Sequence, residues 1–381
     1  MKKKVIRIST VPLSLDLLLK GQLKKLSEKY EIVGVSSPGE ELKRVASREG
    51  VRTAAVSMER RIAPFKDLIA LFRLIRLFRK EKPWMVHSLT PKAGLLAMTA
   101  AWLCKVPVRI HLFTGLVFPT AAGIKQKILI TTDRLTCRFA THVQPEGKGV
   151  AHDLTRFHIT RKPLHIIGNG NINGIDLTYF DRTPEVLQQA GALKEEGITT
   201  YCFVGRIVGD KGIKELTDAF VRLYNEKADV RLLLVGPEEA ALDPLPAETW
   251  DTIYRHPAIK WVGWQSDIRP YLAASDVFVF PSYREGFPNV VLQAGAMGLP
   301  CIVTDINGCN EIIEEGTNGR IVPPADADAL FQAMKETYAP EYRSPMAKNA
   351  RRRIAERYEQ QFLWRELVDW YQSLEKYTKN K

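Results

Sequence analysis

Several things that would mark other classes of protein are missing from this chain. No apolar run approaches the ~20 residues that a membrane-spanning helix needs; Gly94–Cys104 stops far short. The five cysteines (Cys104, Cys137, Cys202, Cys301, Cys309) are odd in number and form no Cys-x-x-Cys pair. That argues against a disulfide framework or a zinc ribbon and for reduced thiols in a cytosolic protein. The seven histidines show no metal-ligand spacing, and no low-complexity tract occurs. Near the start, Val5-Ile6-Arg7-Ile8 is too short and too charged for a secretory leader, and Asp16 interrupts Leu13–Leu19. No base-reading motif or series of stacking aromatics accompanies the positive charge, which speaks against nucleic acid.

What remains is a chain of 381 residues, enough for two domains that each bury a core. Its net charge of +12 is uneven: residues 1–178 hold 31 Lys and Arg against 13 Asp and Glu, and residues 179–381 hold 24 against 30. Of the partners a basic first half could have, an anionic membrane surface fits best, since each cation near such a surface contributes about 1 kcal/mol. Solvated faces are the plain alternative.

The first half alternates strand and helix in the doubly wound manner of an α/β fold. Strands are predicted at Lys4–Ser9, Glu31–Ser36, Val51–Ala55, Trp84–Ser88, Val106–Phe113 and His165–Gly168, with helices at about 13–29, 40–48, 64–80, 91–104 and 123–139. The helix at 64–80 carries an apolar stripe including Phe65, Ile69 and Phe72, with Lys66, Arg73, Arg76 and Arg79 on its other face; a face resting on a membrane is one reading, and a solvated basic helix packed on its sheet is the commoner outcome. A glycine- and asparagine-rich stretch, Gly168–Asp176, reads as linker. Five further strands are predicted after the one at Thr200–Val204: Val230–Val235, Ile259–Val262, Asp276–Phe280, Pro300–Thr304 and Gly319–Val322. The tail, Gln360–Lys379, is an amphipathic helix.

Two stretches carry chemistry. Ser282-Tyr283-Arg284-Glu285-Gly286-Phe287-Pro288-Asn289-Val290 leaves an apolar strand, turns on glycine and proline, and starts a helix near Asn289. A helix start concentrates N–H groups and partial positive charge, which favours a phosphate. Gly205-Arg206-Ile207-Val208-Gly209-Asp210-Lys211-Gly212 repeats the plan, with two cations flanking a second helix start. An ordinary loop over a sheet is the bland reading of either stretch alone.

Together they resemble the large retaining family of nucleotide-sugar glycosyltransferases with the Glu-x7-Glu signature and the GT-B fold. That resemblance implies two facing Rossmann-like domains with a cleft between them. The domains would be 1–178 on the acceptor side and 179–358 for the donor, with 359–381 as a helix crossing back to the first. It also implies that Arg206 and Lys211 bind the donor diphosphate and that Glu285 takes the sugar hydroxyls. Gly205, Gly286, Phe287, Pro288, Asn289 and Val290 would line the donor, with Trp264 and Gln265 beside its base. The second glutamate of the signature is Gln293 here, which can still accept from a ribose hydroxyl but without carboxylate charge.

The segment Arg109–Gly115 is similar to the branch that builds bacterial surface polysaccharides and lipid-linked oligosaccharides. Many relatives place a histidine directly before the glycine; this chain has Thr114 there, and His111 three residues earlier. Lys92, in the first turn of a predicted helix, is electrostatically misplaced unless it meets an anion or simply lies in solvent. Lys92, His111 and Thr114 are therefore the acceptor-side candidates. The loop Ser9–Leu13 lacks the glycines that many relatives have there. Asp326-Ala327-Asp328 has the form by which another class holds a metal, but carboxylates at a helix start are ordinary caps.

The expected activity is transfer of a hexosyl or N-acetylhexosaminyl group from a nucleotide-sugar, expected to be a UDP-sugar, to a polyprenyl-diphosphate-linked or other glycan acceptor. Retention of configuration, no metal and no cofactor beyond the substrate itself are expected, at the cytoplasmic face of the cell membrane. The alternatives are a nucleotide-sugar epimerase of the same fold, or a binding subunit without turnover.

Overall fold

The computed structural model describes the whole chain except residues 1, 60, 62, 240–242 and 380–381, and the side chains of 377–379. It divides into two compact units, Met1–Gly174 with Gln361–Lys381, and Ile175–Gln360. These limits fall within four residues of those expected at 178/179 and 358/359.

In the first unit six parallel strands run β1 (Lys4–Ile8), β2 (Glu31–Ser36), β3 (Arg52–Ala55), β4 (Met85–Leu89), β5 (Val108–Phe113) and β6 (His142–Pro145). Their order in the sheet is β3-β2-β1-β4-β5-β6. Between them lie α1 (Pro12–Leu18), α2 (Gln22–Ser27), α3 (Glu40–Glu49), α4 (Pro64–Glu81), α5 (Pro91–Leu103) and α6 (Gly123–Phe139), with α7 (Lys148–Arg156) after β6. The strands bury both faces, so alternate residues of β1 serve different cores. Val5 packs with α1–α3, whereas Ile6 and Ile8 pack with α4 and α5.

The second unit repeats the plan after α8 (Pro184–Gly191). Its strands are β7 (Thr199–Val204), β8 (Val230–Val235), β9 (Ile259–Trp261), β10 (Val277–Phe280), β11 (Cys301–Thr304) and β12 (Gly319–Val322), ordered β12-β11-β10-β7-β8-β9. Helices α9 (Ile213–Glu226), α10 (Ala247–Arg255), α11 (Arg269–Ala273), α12 (Asn289–Ala296), α13 (Cys309–Ile312), α14 (Ala327–Tyr338) and α15 (Pro340–Tyr358) connect and cover them. The last helix, α16 (Gln360–Lys379), belongs to the first unit, where Leu367, Val368, Trp370 and Tyr371 join the core beneath α1–α3.

A buried polar chain pins α16 there. Arg7, in the middle of β1 and 1% exposed, donates to the Tyr371 hydroxyl at 3.0 Å, which lies 2.6 Å from His87 Nδ1 on β4. Three sequence expectations change. The helix expected over 13–29 breaks at Gly21, whose left-handed backbone (φ +81°) lies against the Trp364 ring of α16. His165–Gly168 is not a strand; only Leu164 bridges to Val143. The sixth strand is instead His142–Pro145, a four-residue segment too short to show a period.

On the other face, His111 of β5 fills the space over Gly94 of α5, where a Cβ would overlap the imidazole ring. Replacing Gly94 by alanine should therefore cost about 1–3 kcal/mol through overpacking, measurable as a lowered urea midpoint. The cost should shrink in a His111→Ser background, and equal costs in both backgrounds would refute this packing argument.

Candidate functional site

In an open parallel sheet, ligands bind beyond the carboxyl ends of the strands where the strand order reverses. In the second unit that point lies between β7 and β10, which pair directly, with Val277 beside Tyr201 and Phe278 beside Cys202. Their following loops are the two stretches singled out in the sequence, and the pairing brings them together. Gly212 (φ +67°) ends a 3₁₀ turn at Gly209–Lys211 and opens α9; a Cβ there would run into the Pro281 carbonyl. Backbone therefore meets backbone. The Tyr283 N–H donates to the Asp210 carbonyl at 2.9 Å, and the Ser282 Oγ lies 3.2 Å from the same oxygen.

Across this seam Lys211 Nζ is ion-paired with Glu285 Oε1, which also accepts from Ser282 Oγ at 2.9 Å. The Lys211 ammonium stands 5.4 Å from the centre of the Phe280 ring. Arg284 reaches Asp210 at 3.4 Å. Arg206 Nη1 donates to Glu239 Oε2 at 2.7 Å. Burial works against its charge, but the Glu239 hydrogen bond and charge, with Asp210 and Glu285 behind them, leave its pKa raised. The two cations and Glu285 lie on neighbouring loops, and each cation already holds a carboxylate partner. Glu239 was missed in the sequence. Its signal was available, since Glu238-Glu239 closely follows strand β8.

The turn before α12 is held from a third loop. Thr304, at the end of β11, donates its hydroxyl to the Ser282 carbonyl, and Gly308 (φ +76°) lies against Gly286 and Phe287, where a Cβ would collide. Gly286, Phe287 and Pro288 are buried; Asn289 and Val290 are half-buried at the helix start. The N–H groups of Val291 and Leu292 return to the Pro288 carbonyl and Pro288 itself has no N–H, which narrows the expected anion contact to the amides of Gly286, Phe287 and Val290. Gln293 is half-buried one turn into α12. Trp264 stands 69% exposed after β9, while Gln265 donates its side-chain amide to the Val262 carbonyl at 2.8 Å. The Gly205 carbonyl lies against Gly236, after β8, where a Cβ on Gly236 would collide with it.

The acceptor-side candidates fare differently. Lys92 is not an unpaired cation: it is bonded to both oxygens of Asp67, at 2.8 and 2.9 Å, which explains a lysine at a helix start without any ligand. His111 is 1% exposed, hydrogen-bonded to Ser88 Oγ at 2.9 Å and edge-on to Phe113. It is a core residue that presents nothing to solvent. Thr114 is half-buried at the carboxyl end of β5. Asp326 caps α14 by accepting from the Ala329 N–H at 2.8 Å, and Asp328 pairs with Arg222. Among the described residues, no group of three or more His, Cys, Asp or Glu is placed to hold a metal ion.

Comparison with known proteins supplies a family. The pattern of the glycosyl transferases group 1 matches residues 199–339, and that of the glycosyl transferase 4-like domain matches 23–170. The capsular polysaccharide biosynthesis glycosyltransferase CapM of Staphylococcus aureus is 30% identical over 384 aligned residues, covering 100% of this chain and 99% of its own. The UDP-Gal:alpha-D-GlcNAc-diphosphoundecaprenol alpha-1,3-galactosyltransferase of Escherichia coli is 30% identical, over 77% of this chain and 76% of its own. Among solved structures, Anabaena Alr3699/HepE in complex with UDP superposes with a TM-score of 0.82, over 98% of this chain and 100% of that one, at 18% identity.

Burial holds the His111 imidazole down to a pKa of about 3. The unfolded chain, near 6.5, then binds the proton more readily between those values, so this residue contributes a loss of stability as pH falls from about 6.5 toward 3. A His111→Asn variant, which cannot titrate, should show a flatter fall of melting temperature over that window than the parent. An unchanged slope would mean that the imidazole is not held neutral.

Proposed function

We propose, for a chain that belongs to the group 1 glycosyl transferases and has the GT-B fold, a specific form of the glycosyltransferase activity its family performs. It moves a hexosyl or N-acetylhexosaminyl group from a UDP-sugar to a polyprenyl-diphosphate-linked glycan in bacterial surface polysaccharide synthesis. The observation that carries this reading is the seam between the loops after β7 and β10, where Lys211, Glu285 and the start of α12 come together beside Arg206. The UDP-sugar and lipid-linked acceptor are supported by what the relatives are named for.

Cleaving the bond between an anomeric carbon and a nucleoside diphosphate leaves negative charge on the β-phosphate. Fixed cations and backbone dipoles stabilise that charge without reorganising during the step. Arg206 and Lys211 supply the cations, and the amides of Gly286, Phe287 and Val290 supply the dipoles. Both side chains enter the reaction from ion pairs, so the incoming diphosphate takes over from Glu239 at Arg206. Lys211 remains tied to Glu285, whose carboxylate is thereby held in place to accept from the donor sugar's hydroxyls. Gln293 accepts from one ribose hydroxyl. The charge needed at the leaving group is met by protein groups, so turnover proceeds without a metal, and retention follows the family's habit.

The acceptor reading places the first unit on an anionic membrane surface at the cytoplasmic face. Its support is the exposed stripe on α4, where Phe65 (86% exposed), Leu68, Ile69 and Phe72 (63%) repeat at helical spacing beside Lys66 and Arg73.

Arg206→Ala and Lys211→Ala should each lower turnover on the order of 10²–10³-fold with the melting temperature of the free protein little changed. Near-parental turnover in both would remove the mechanism, as would abolition of activity by a chelator. In sedimentation with vesicles containing phosphatidylglycerol, the protein should pellet at low salt and be released as salt rises. Binding that ignores salt, or that survives Phe65→Glu/Phe72→Glu, would contradict the membrane role.

A further inference from the structure

A pocket of about 460 Å³ opens in the first unit, lined from the loops after β1, β4 and β5 and from α4, α5 and α6. This volume lies within the range that ligand sites occupy. The strand order reverses between β1 and β4, so the pocket stands at the switch point of this sheet, where a substrate rather than bulk lipid is received.

Its walls exclude a sugar. The surface it offers is aliphatic, from Val11, Leu95, Leu96, Val117, Ile128 and Leu129. The polar groups that line it mostly have partners already. Thr10 and Thr90 bond to each other through their hydroxyls at 2.9 Å, and Thr10 Oγ1 also accepts from the Ala93 N–H at 3.1 Å. The Thr132 hydroxyl donates to the Leu129 carbonyl at 2.8 Å, and Lys92 is paired with Asp67. A glycan placed here would lose its hydrogen bonds to water and find few replacements, at a cost of about 1–3 kcal/mol for each unpaired group. An unsaturated hydrocarbon loses nothing.

The wall also continues outward. Val117 and Ile128 are partly exposed, and Ile124, one turn before Ile128 on α6, is 78% exposed. On the α4 side, Phe65 and Leu68 flank the lining residue Asp67. The first 178 residues as a whole carry an excess of eighteen positive charges, which complements a diphosphate or an anionic membrane surface.

We infer that this pocket receives the first isoprene units of the acceptor's polyprenyl chain, drawing them out of the membrane so that the diphosphate-linked glycan is presented outside the pocket, at its mouth. The inference rests on the lipid-linked acceptor proposed above and gives that acceptor a chain-binding subsite. It predicts selectivity for isoprenoid chains that a surface-bound enzyme would not need.

The test uses the full chain and farnesyl diphosphate as probe, by calorimetry in detergent-free buffer. The parent should bind it, and inorganic diphosphate should fail to compete. Ile128→Trp, which fills the pocket, and Val117→Asp, which charges its wall, should each weaken binding at least tenfold; both residues are partly exposed, so the fold tolerates them. Competition by inorganic diphosphate would mean a phosphate site and overturn the inference. Undetectable binding to the parent, or equal binding to parent and both variants, would overturn it too.

Turnover separates this from the acceptor reading. With a mixed extract of polyprenyl-linked glycans, the parent's activity tests the acceptor class. The ratio of KM between polyprenyl-linked and short-alkyl-linked glycan, compared between parent and Ile128→Trp, tests the pocket. A ratio that does not move, in an enzyme that does use lipid-linked glycans, sinks the pocket and leaves the function standing. If the parent uses no lipid-linked glycan yet binds farnesyl diphosphate as described, the function falls and the chain site remains.

Discussion

The Lys211–Glu285 ion pair is the contact on which the second unit's site depends, and its existence is a consequence of strand order. Residues 74 positions apart in sequence meet because β7 and β10 are hydrogen-bonded neighbours, so the loops leaving them have nowhere to go but alongside one another. Gly212 then removes the last obstacle by letting the first loop's backbone touch the Pro281 carbonyl. A side chain at that position would hold the loops apart, and the lysine would no longer reach the glutamate. The site is therefore assembled by the sheet and only finished by its charged residues.

The first unit is organised around a different constraint, the burial of Arg7 within the sheet. A guanidinium with so little exposure is costly unless it is bonded, and its partner comes from the far end of the chain. Tyr371 connects Arg7 to His87, whose pKa burial, assisted by the Arg7 charge, drives well below the ordinary imidazole value. A neutral imidazole and a neutral phenol beside one fixed cation make a stable arrangement. Docking of α16 is thus specified by polar complementarity as well as by the leucine, valine and tryptophan contacts around it.

Much of this was legible in the sequence because the signals were redundant. Strand β10 and the Leu232–Val235 stretch of β8 are continuous apolar runs, which a doubly covered parallel sheet explains. The two glycine-rich loops at strand ends carried residue types with few other uses. What stayed hidden were facts about pairs. That Lys92 answers Asp67, that Arg206 answers Glu239, and that His111 sits over Gly94 cannot be seen from spacing, because each joins different elements across the fold. Strand β6 was lost for another reason: His142 and Gln144 break the apolar pattern, and neither periodicity nor length was left to mark it.

The pairing of both cations before any ligand arrives has a further physical meaning. An unpaired ammonium with 12% of its side chain exposed would carry a desolvation cost, and Glu285 offsets it in the free protein. At Arg206, where the proposed diphosphate would replace Glu239, two or more negative charges make a stronger partner than one carboxylate, so the exchange is of a weaker pairing for a better one rather than of a pairing made from nothing. This lowers ground-state affinity while keeping the geometry fixed, which is the favourable division for catalysis, since only interactions that strengthen toward the transition state raise turnover. The glutamine at 293 fits the same economy. In the proposed reading it would give up a charge-assisted bond to the ribose, a part of the donor that does not change during the reaction, and leave intact the charges proposed to meet the part that does.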